Sequence, residues 1–187
     1  VHERLSALGD PSVSEVMSTA GMAIMEGAAG SAGVLYGTFF MQGGAVLEGK
    51  SAIDKEALAS LFSAGYAAMV EMSGGTKPGE KTMIDPLDPA VESLKESANN
   101  PSITLSHALD GAVAAAKTGL ESTIDLIATK GRAAYLGERS RGHQDIGATT
   151  MYLIIRTIRD TLGGRIGVRV VKHAPNGAIL IENPLNP

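Results

Sequence analysis

The chain has 187 residues, 44% of them hydrophobic but only 4% aromatic, no cysteine, and a formal net charge of −4 at pH 7. That length suits one compact domain with a short appendage, and the surplus of small and aliphatic residues over aromatics favours closely packed helices over a sandwich or barrel of strands. The acidic balance, with no local basic run, excludes a nucleic-acid surface; the lack of cysteine excludes disulfides and thiolate metal sites; and with neither a membrane-length apolar stretch nor a signal peptide, a soluble cytoplasmic protein is expected.

Val1-His2-Glu3-Arg4-Leu5 reads as the middle of a helix already under way, which implies further residues upstream. Asp10-Pro11 offers an N-cap and a proline at the first helical position. Val13, Val16, Met17, Ala20, Ile24 and Ala28 then recur at steps of three and four, one face of a helix ending near Ala29. Gly30-Ser31-Ala32-Gly33 forms a turn into a second apolar segment, Val34 to Met41. Small residues there leave backbone N–H groups open to an anion, with the Ser31 hydroxyl as an added donor; the competing reading is a plain tight connection. Ser51-Ala52-Ile53-Asp54 resembles a capping box for a helix whose face carries Leu58, Leu61, Phe62, Gly65, Met69 and Met72, the methionines serving as core filler.

Residues 73–83 make a glycine-rich loop with two lysines, read either as a solvated connection or, from its length, as a binding loop. Asp85 to Glu96 follows as a helix, with Pro86 tolerable in its first turn and Pro89 expected to bend or delay it. After the breaker Asn99-Asn100-Pro101-Ser102, Thr104 caps a helix with a continuous stripe of Leu105, Leu109, Val113, Ala116, Leu120, Ile124 and Ile127. Lys130 to Ala148, KGRAAYLGERSRGHQDIGA, sets six charged side chains, a histidine and four glycines between two apolar helices, a poor core and a good ordered loop over a ligand. Ala148 to Leu162 is the last helix, through Met151, Ile154, Ile155 and Ile158. Beyond Gly163-Gly164, Arg165 to Val171 and Ala178 to Ile181 are rich in β-branched residues and separated by Ala174-Pro175-Asn176-Gly177, so residues 164–187 are expected to form a short hairpin or strand arm appended to a helical domain of residues 1–163.

Three segments carry a family likeness. They are Gly21-Met22 with Gly30-Ser31-Ala32-Gly33 and Leu35-Tyr36-Gly37-Thr38-Phe39-Phe40; Lys77-Pro78-Gly79-Glu80-Lys81-Thr82-Met83-Ile84-Asp85 with Glu92-Ser93-Leu94; and Lys130-Gly131-Arg132-Ala133 through Tyr135-Leu136-Gly137-Glu138-Arg139-Ser140 to Gly142-His143-Gln144-Asp145. Together they resemble the nucleotide-binding L subunit, or L domain, of dihydroxyacetone kinase over about residues 1–162. The resemblance implies an all-α barrel of antiparallel, up-and-down amphipathic helices, with ADP or ATP clasped by the interhelical loops at one end. It places the phosphates at Ser31 and Ala32, with Mg2+, and sets Gly74, Thr82, Met83, Arg132 and the Asp145-Ile146-Gly147 turn around the nucleotide. Arg132 is the catalytic candidate, a planar and permanently charged fork for a phosphate or the transferring group. Met83 offers a thioether face to adenine, and Asp145 either caps the last helix or holds the closing loop.

Two departures stand out. Ile146 replaces the proline of the family's Asp-Pro-Gly turn, and the Gly-Asp-x-Asp-His-Gly loop whose carboxylates bind paired magnesium ions has no counterpart, since Gly9-Asp10 lacks the second Asp and the His. No metal ligand is therefore assigned in this sequence, and an acidic loop is expected upstream of Val1. The implied function is phosphoryl transfer to a small ketose or triose held by a separate K subunit or domain. Either ATP exchanges at each turnover, or resident ADP is recharged by a phosphohistidine relay protein; the absence of a fused K domain leans toward the relay. None of His2, His107, His143 or His173 is placed to bind the ketone. Two other readings stand beside this one: a metal-less, non-catalytic relative acting as a partner-binding or regulatory module, and a helical barrel carrying a lipid.

Overall fold

Apolar residues spaced by three and four bury one face of each of the longer segments, and the chain stacks those faces helix by helix. The computed structural model describes residues 1–8, 11–50 and 52–162, and the backbone of 172–173 and 179–180. Its helices are α1 (His2–Ser6), α2 (Val13–Gly27), α3 (Ser31–Ala45), α4 (Lys55–Met72), α5 (Ile84–Ala98), α6 (Leu105–Ser122) and α7 (Ile146–Leu162), with a 3-10 segment at Arg132–Ser140. Each helix packs on its successor, and α7 also folds back onto α5. The result is the up-and-down, all-helical body the sequence leads one to expect.

Phe39 of α3 meets Phe62 of α4 edge to face, with centroids 5.4 Å apart. Around them Leu58, Leu61, Met69, Leu87, Leu94, Met151 and Ile155 are fully buried, each stabilising the fold by about 1.5–3 kcal/mol relative to exposure. Helices approach most closely where glycine replaces a side chain. A Cβ on Gly119 of α6 would lie 2.2 Å from the Asp85 carbonyl oxygen in the first turn of α5, so this glycine lets α6 sit directly against that turn. At the other end of α7, Met17, Phe40, Phe62 and Ile158 help to line an apolar cavity of about 180 Å³ between α2, α3, α4 and α7.

Several boundaries differ from the sequence reading for identifiable reasons. The cap of α2 is Ser12 rather than Asp10, through a capping box in which the Glu15 N–H donates to Ser12 Oγ and the Ser12 N–H to the Glu15 carboxylate; Asp10 lies outside the described residues. For α4 the cap is Asp54, which accepts the Ala57 N–H at 2.6 Å, while Ser51 lies outside the described residues. Helix α3 already begins at Ser31 and runs to Ala45, so the glycine turn is its first turn. Pro89 sits inside a continuous α5. The stripe of α6 stops short of Ile124 and Ile127, because the Thr123 hydroxyl bonds back to the Leu120 carbonyl at 2.7 Å and ends the helix.

The expected arm, 164–187, lies outside the described residues apart from Lys172–His173 and Ile179–Leu180. These two-residue strands pair antiparallel, Lys172 opposite Leu180 and His173 opposite Ile179. No helix among the described residues is long and apolar enough to cross a membrane.

Candidate functional site

In an up-and-down body the start of α3, the α4–α5 loop, the α6–α7 loop and the start of α7 share one rim. Specific bonds tie them together. The Tyr36 hydroxyl on α3 donates to the Gly147 carbonyl in the first turn of α7 at 2.8 Å. A Cβ on Gly147 would in turn lie 3.4 Å from Met83 Cε and 3.5 Å from the Met83 nitrogen, so the entrances of α5 and α7 are in contact.

The α4–α5 loop is shaped by Asp85, whose carboxylate accepts the Gly79 N–H and the Thr82 N–H, each at 2.7 Å. Between those residues Lys81 adopts the left-handed conformation, φ 61°, and sends its side chain inward. The residue is only 3% exposed, and its ammonium donates to the carbonyls of Thr123 at 2.5 Å, Leu126 at 3.1 Å and His143 at 2.6 Å. Three donors thus meet three acceptors, the full capacity of an ammonium. All three acceptors belong to the α6–α7 loop, so one side chain fastens two loops together.

Within the α6–α7 loop, Ser140 Oγ accepts the Ala128 N–H and donates to the Gly137 carbonyl, and the Gly142 N–H bonds the Ile124 carbonyl at 2.8 Å. The Asp145 N–H donates to Thr123 Oγ1, and its carboxylate accepts the Ala148 N–H at 2.7 Å. Asp145 therefore caps α7, the structural member of the two roles open to it. Burial foremost raises its carboxyl pKa, and the Asp85 charge adds to this; the Ala148 and Gly147 N–H groups and Lys81 oppose it. Burial likewise raises the pKa of the Tyr36 hydroxyl, against the nearby Thr150 hydroxyl and with help from the Asp145 charge, so Tyr36 stays a hydrogen-bond donor.

Of the residues singled out from sequence, Thr82, Met83, Asp145 and Gly147 come together at the joined entrances of α5 and α7. Ser31 is exposed at the first position of α3 behind Gly30, which caps it at φ 76°, a conformation suited to glycine. Ala32 is half-buried against the core. Gly74, at φ 71°, turns the chain after α4, and Arg132 is exposed at the start of the 3-10 segment. No hydrogen bond or ion pair among the described residues joins Ser31, Gly74 or Arg132 to the Met83–Gly147 cluster. Lys81, Asp85, Tyr36 and Thr123 escape sequence reasoning; the partners of Lys81 lie 42, 45 and 62 residues away, and only a lysine two residues after a glycine and four before an aspartate hints at them.

A magnesium cage is not built from this set. Among the described residues no three His, Cys, Asp or Glu side chains gather. Asp85 is committed to backbone N–H groups and Asp145 to the cap of α7.

Comparison with known proteins gives these loops a context. Residues 1–160 match the model of the DAK2 domain. The chain is similar to the PEP-dependent dihydroxyacetone kinase, ADP-binding subunit DhaL, of Escherichia coli, with 35% identity over 158 residues, 84% of this chain and 74% of that protein. It is also similar to the PEP-dependent dihydroxyacetone kinase 2, ADP-binding subunit DhaL, of Listeria innocua, with 37% identity over 154 residues, 81% of this chain and 69% of that one. Among solved structures it resembles the native dihydroxyacetone kinase of C. freundii, with a TM-score of 0.54 and 28% identity, covering 84% of this chain and 24% of that longer chain.

Proposed function

Because the chain belongs to the DAK2-domain family, we propose that it is the ADP- or ATP-binding part of a dihydroxyacetone-type kinase, passing a phosphoryl group to a small ketose or triose held by a separate K subunit. The observation that carries this reading is the joining of two loops and the starts of α3 and α7 at one rim, by Lys81 and by the Tyr36–Gly147 bond, in a chain similar to proteins named as ADP-binding subunits.

The nucleotide supplies the phosphoryl group, and the chain's task is to hold and orient it. Phosphoryl transfer asks little covalent chemistry of a protein; it depends on positioning and on charge placed against the transferring oxygens. In this proposal the start of α3, exposed at Ser31, with the N–H groups of Ser31 and Ala32 at the positive end of the helix dipole, holds phosphate oxygens. Met83 lies against the base, Gly74 and Thr82 line its side, and Asp145 with Gly147 holds the entrance of α7 in register. Arg132 is the cationic fork for the transferring group. The described residues form no cage for a metal. The phosphoryl donor to resident ADP would be a phosphohistidine relay protein if the nucleotide does not exchange.

The test is an isothermal titration of the chain with ADP, with and without magnesium, beside Arg132→Ala. Saturable ADP binding that Arg132→Ala weakens supports the reading. A chain that binds no nucleotide under either condition refutes it and leaves the non-catalytic, partner-binding module.

A further inference from the structure

We propose that Lys81 is a positioning residue for the nucleotide: its buried ammonium closes the neck of the α6–α7 loop onto the α4–α5 loop, and so sets Arg132 and Met83 at a fixed separation around one ligand. This inference rests on the nucleotide reading above and adds to it a residue that touches no ligand.

Thr123 and Leu126 stand at the entry of the α6–α7 loop and His143 at its exit, and the same ammonium bonds the carbonyls of all three. The side chain therefore acts as a clasp across the base of the loop that carries Arg132. Beside it the Gly142 N–H bonds the Ile124 carbonyl at 2.8 Å, a second tie across the same neck. On the other side Lys81 stands at the apex of a turn gripped at Gly79 and Thr82 by the Asp85 carboxylate, and the next residues are Thr82 and Met83. Its left-handed backbone, φ 61°, is disfavoured for a residue with a Cβ, so the turn holds a conformation that the inward-pointing side chain requires.

The chemistry selects lysine. A neutral residue of similar shape leaves three backbone carbonyls without their donor, and a guanidinium is a planar fork where a compact ammonium with three diverging N–H groups is needed. Other bonds between the loops are weaker, the Thr129 N–H reaching the Glu80 carbonyl only at 3.4 Å. Without the ammonium the α6–α7 loop keeps its internal bonds at Ser140 but loses its fixed register against Met83.

The experiment is ADP titration of the full chain as parent, Lys81→Ala, Arg132→Ala and the double variant, with folding checked by far-UV circular dichroism. Folded Lys81→Ala is expected to bind ADP about 10- to 100-fold more weakly, the scale of a displaced binding group. In that background Arg132→Ala should cost less than about twofold, because the two residues act through one geometry. Added propylammonium, which can refill the cage, is expected to restore both the affinity and the contribution of Arg132; affinity restored without the Arg132 contribution overturns the proposal.

Parent-like ADP affinity in folded Lys81→Ala, or an Arg132→Ala effect of equal size in both backgrounds, overturns the proposal. If Lys81→Ala does not fold, amide exchange of the parent decides. ADP should slow the Thr82 and Gly142 N–H groups, one in each clasped loop, by the same factor, and slowing in only one loop overturns the clasp. A parent that binds no ADP fails the nucleotide reading itself, a result distinct from a parent that binds and a Lys81→Ala that binds equally.

Discussion

Two substitutions at Asp145 are expected to move stability in different directions. The carboxylate accepts the Ala148 N–H at 2.7 Å, and its pKa is raised, first by burial and further by Asp85, against the backbone N–H groups and Lys81. Asp145→Ala removes the acceptor and uncaps α7, a loss of about 1–2 kcal/mol. Asp145→Asn keeps an acceptor of the same reach and sheds a charge that the folded surroundings disfavour, so near neutral pH it should match or exceed the parent. The sign of the pH effect follows from the raised pKa. Between the unfolded value near 3.8 and the folded one, the native state binds more protons than the unfolded state. This carboxyl's contribution to stability is therefore complete below that window and is lost as pH rises through the folded pKa. The advantage of Asn over the parent should grow from acidic to neutral pH. Urea unfolding followed by circular dichroism at several pH values, compared at constant slope, reads this directly. An Asn as costly as Ala at neutral pH, or a gap between Asn and parent that does not change with pH, refutes the reasoning.

Three further outcomes are expected. Gly119→Ala places a methyl 2.2 Å from the Asp85 carbonyl oxygen and should cost about 3 kcal/mol, read as a lower thermal midpoint; an unchanged midpoint would show that α5 and α6 can part freely. Tyr36→Phe removes the 2.8 Å bond to the Gly147 carbonyl and should cost about 1 kcal/mol. That loss should stay constant from neutral into mildly alkaline buffer because burial raises the phenol's pKa, and a loss that fades over this range contradicts the assignment. Ser140→Ala strands the Ala128 N–H and the Gly137 carbonyl at a cost of about 2 kcal/mol; faster exchange of the Ala128 amide is the local signature, and unaltered exchange speaks against it.

Much of the fold can be read from apolar spacing alone. The faces of α4, α6 and α7 follow from Leu58–Met69, Leu105–Leu120 and Met151–Ile155, because burying one stripe per helix is a local property of the sequence. What escapes is decided by bonds between distant residues. Ile124 and Ile127 continue the period of α6, yet the Thr123 hydroxyl turns back to Leu120 and the Thr123 carbonyl goes to Lys81. The site shows the same division. Ser31, Met83, Arg132 and Asp145 come from segments with a recognisable family pattern, whereas the two-loop clasp at Lys81 needs carbonyls from three places in another loop, and a carbonyl leaves no trace in residue identity. The caps of α2 and α4 show a smaller version: Asp10 and Ser51 are suitable caps by type, but Ser12 with Glu15 and Asp54 form the actual bonds.

Pro89 within α5 bears on Gly119. A proline has no N–H, so the Asp85 carbonyl, four residues earlier, lacks the donor that a helix normally offers it. That is the oxygen over which α6 passes at its bare glycine, near enough for a Cα–H group to face it. Positions thirty residues apart thus behave as one joint, a missing donor on one rod matched by a missing methyl on the other, and any design that repairs either member alone should expect to disturb its counterpart.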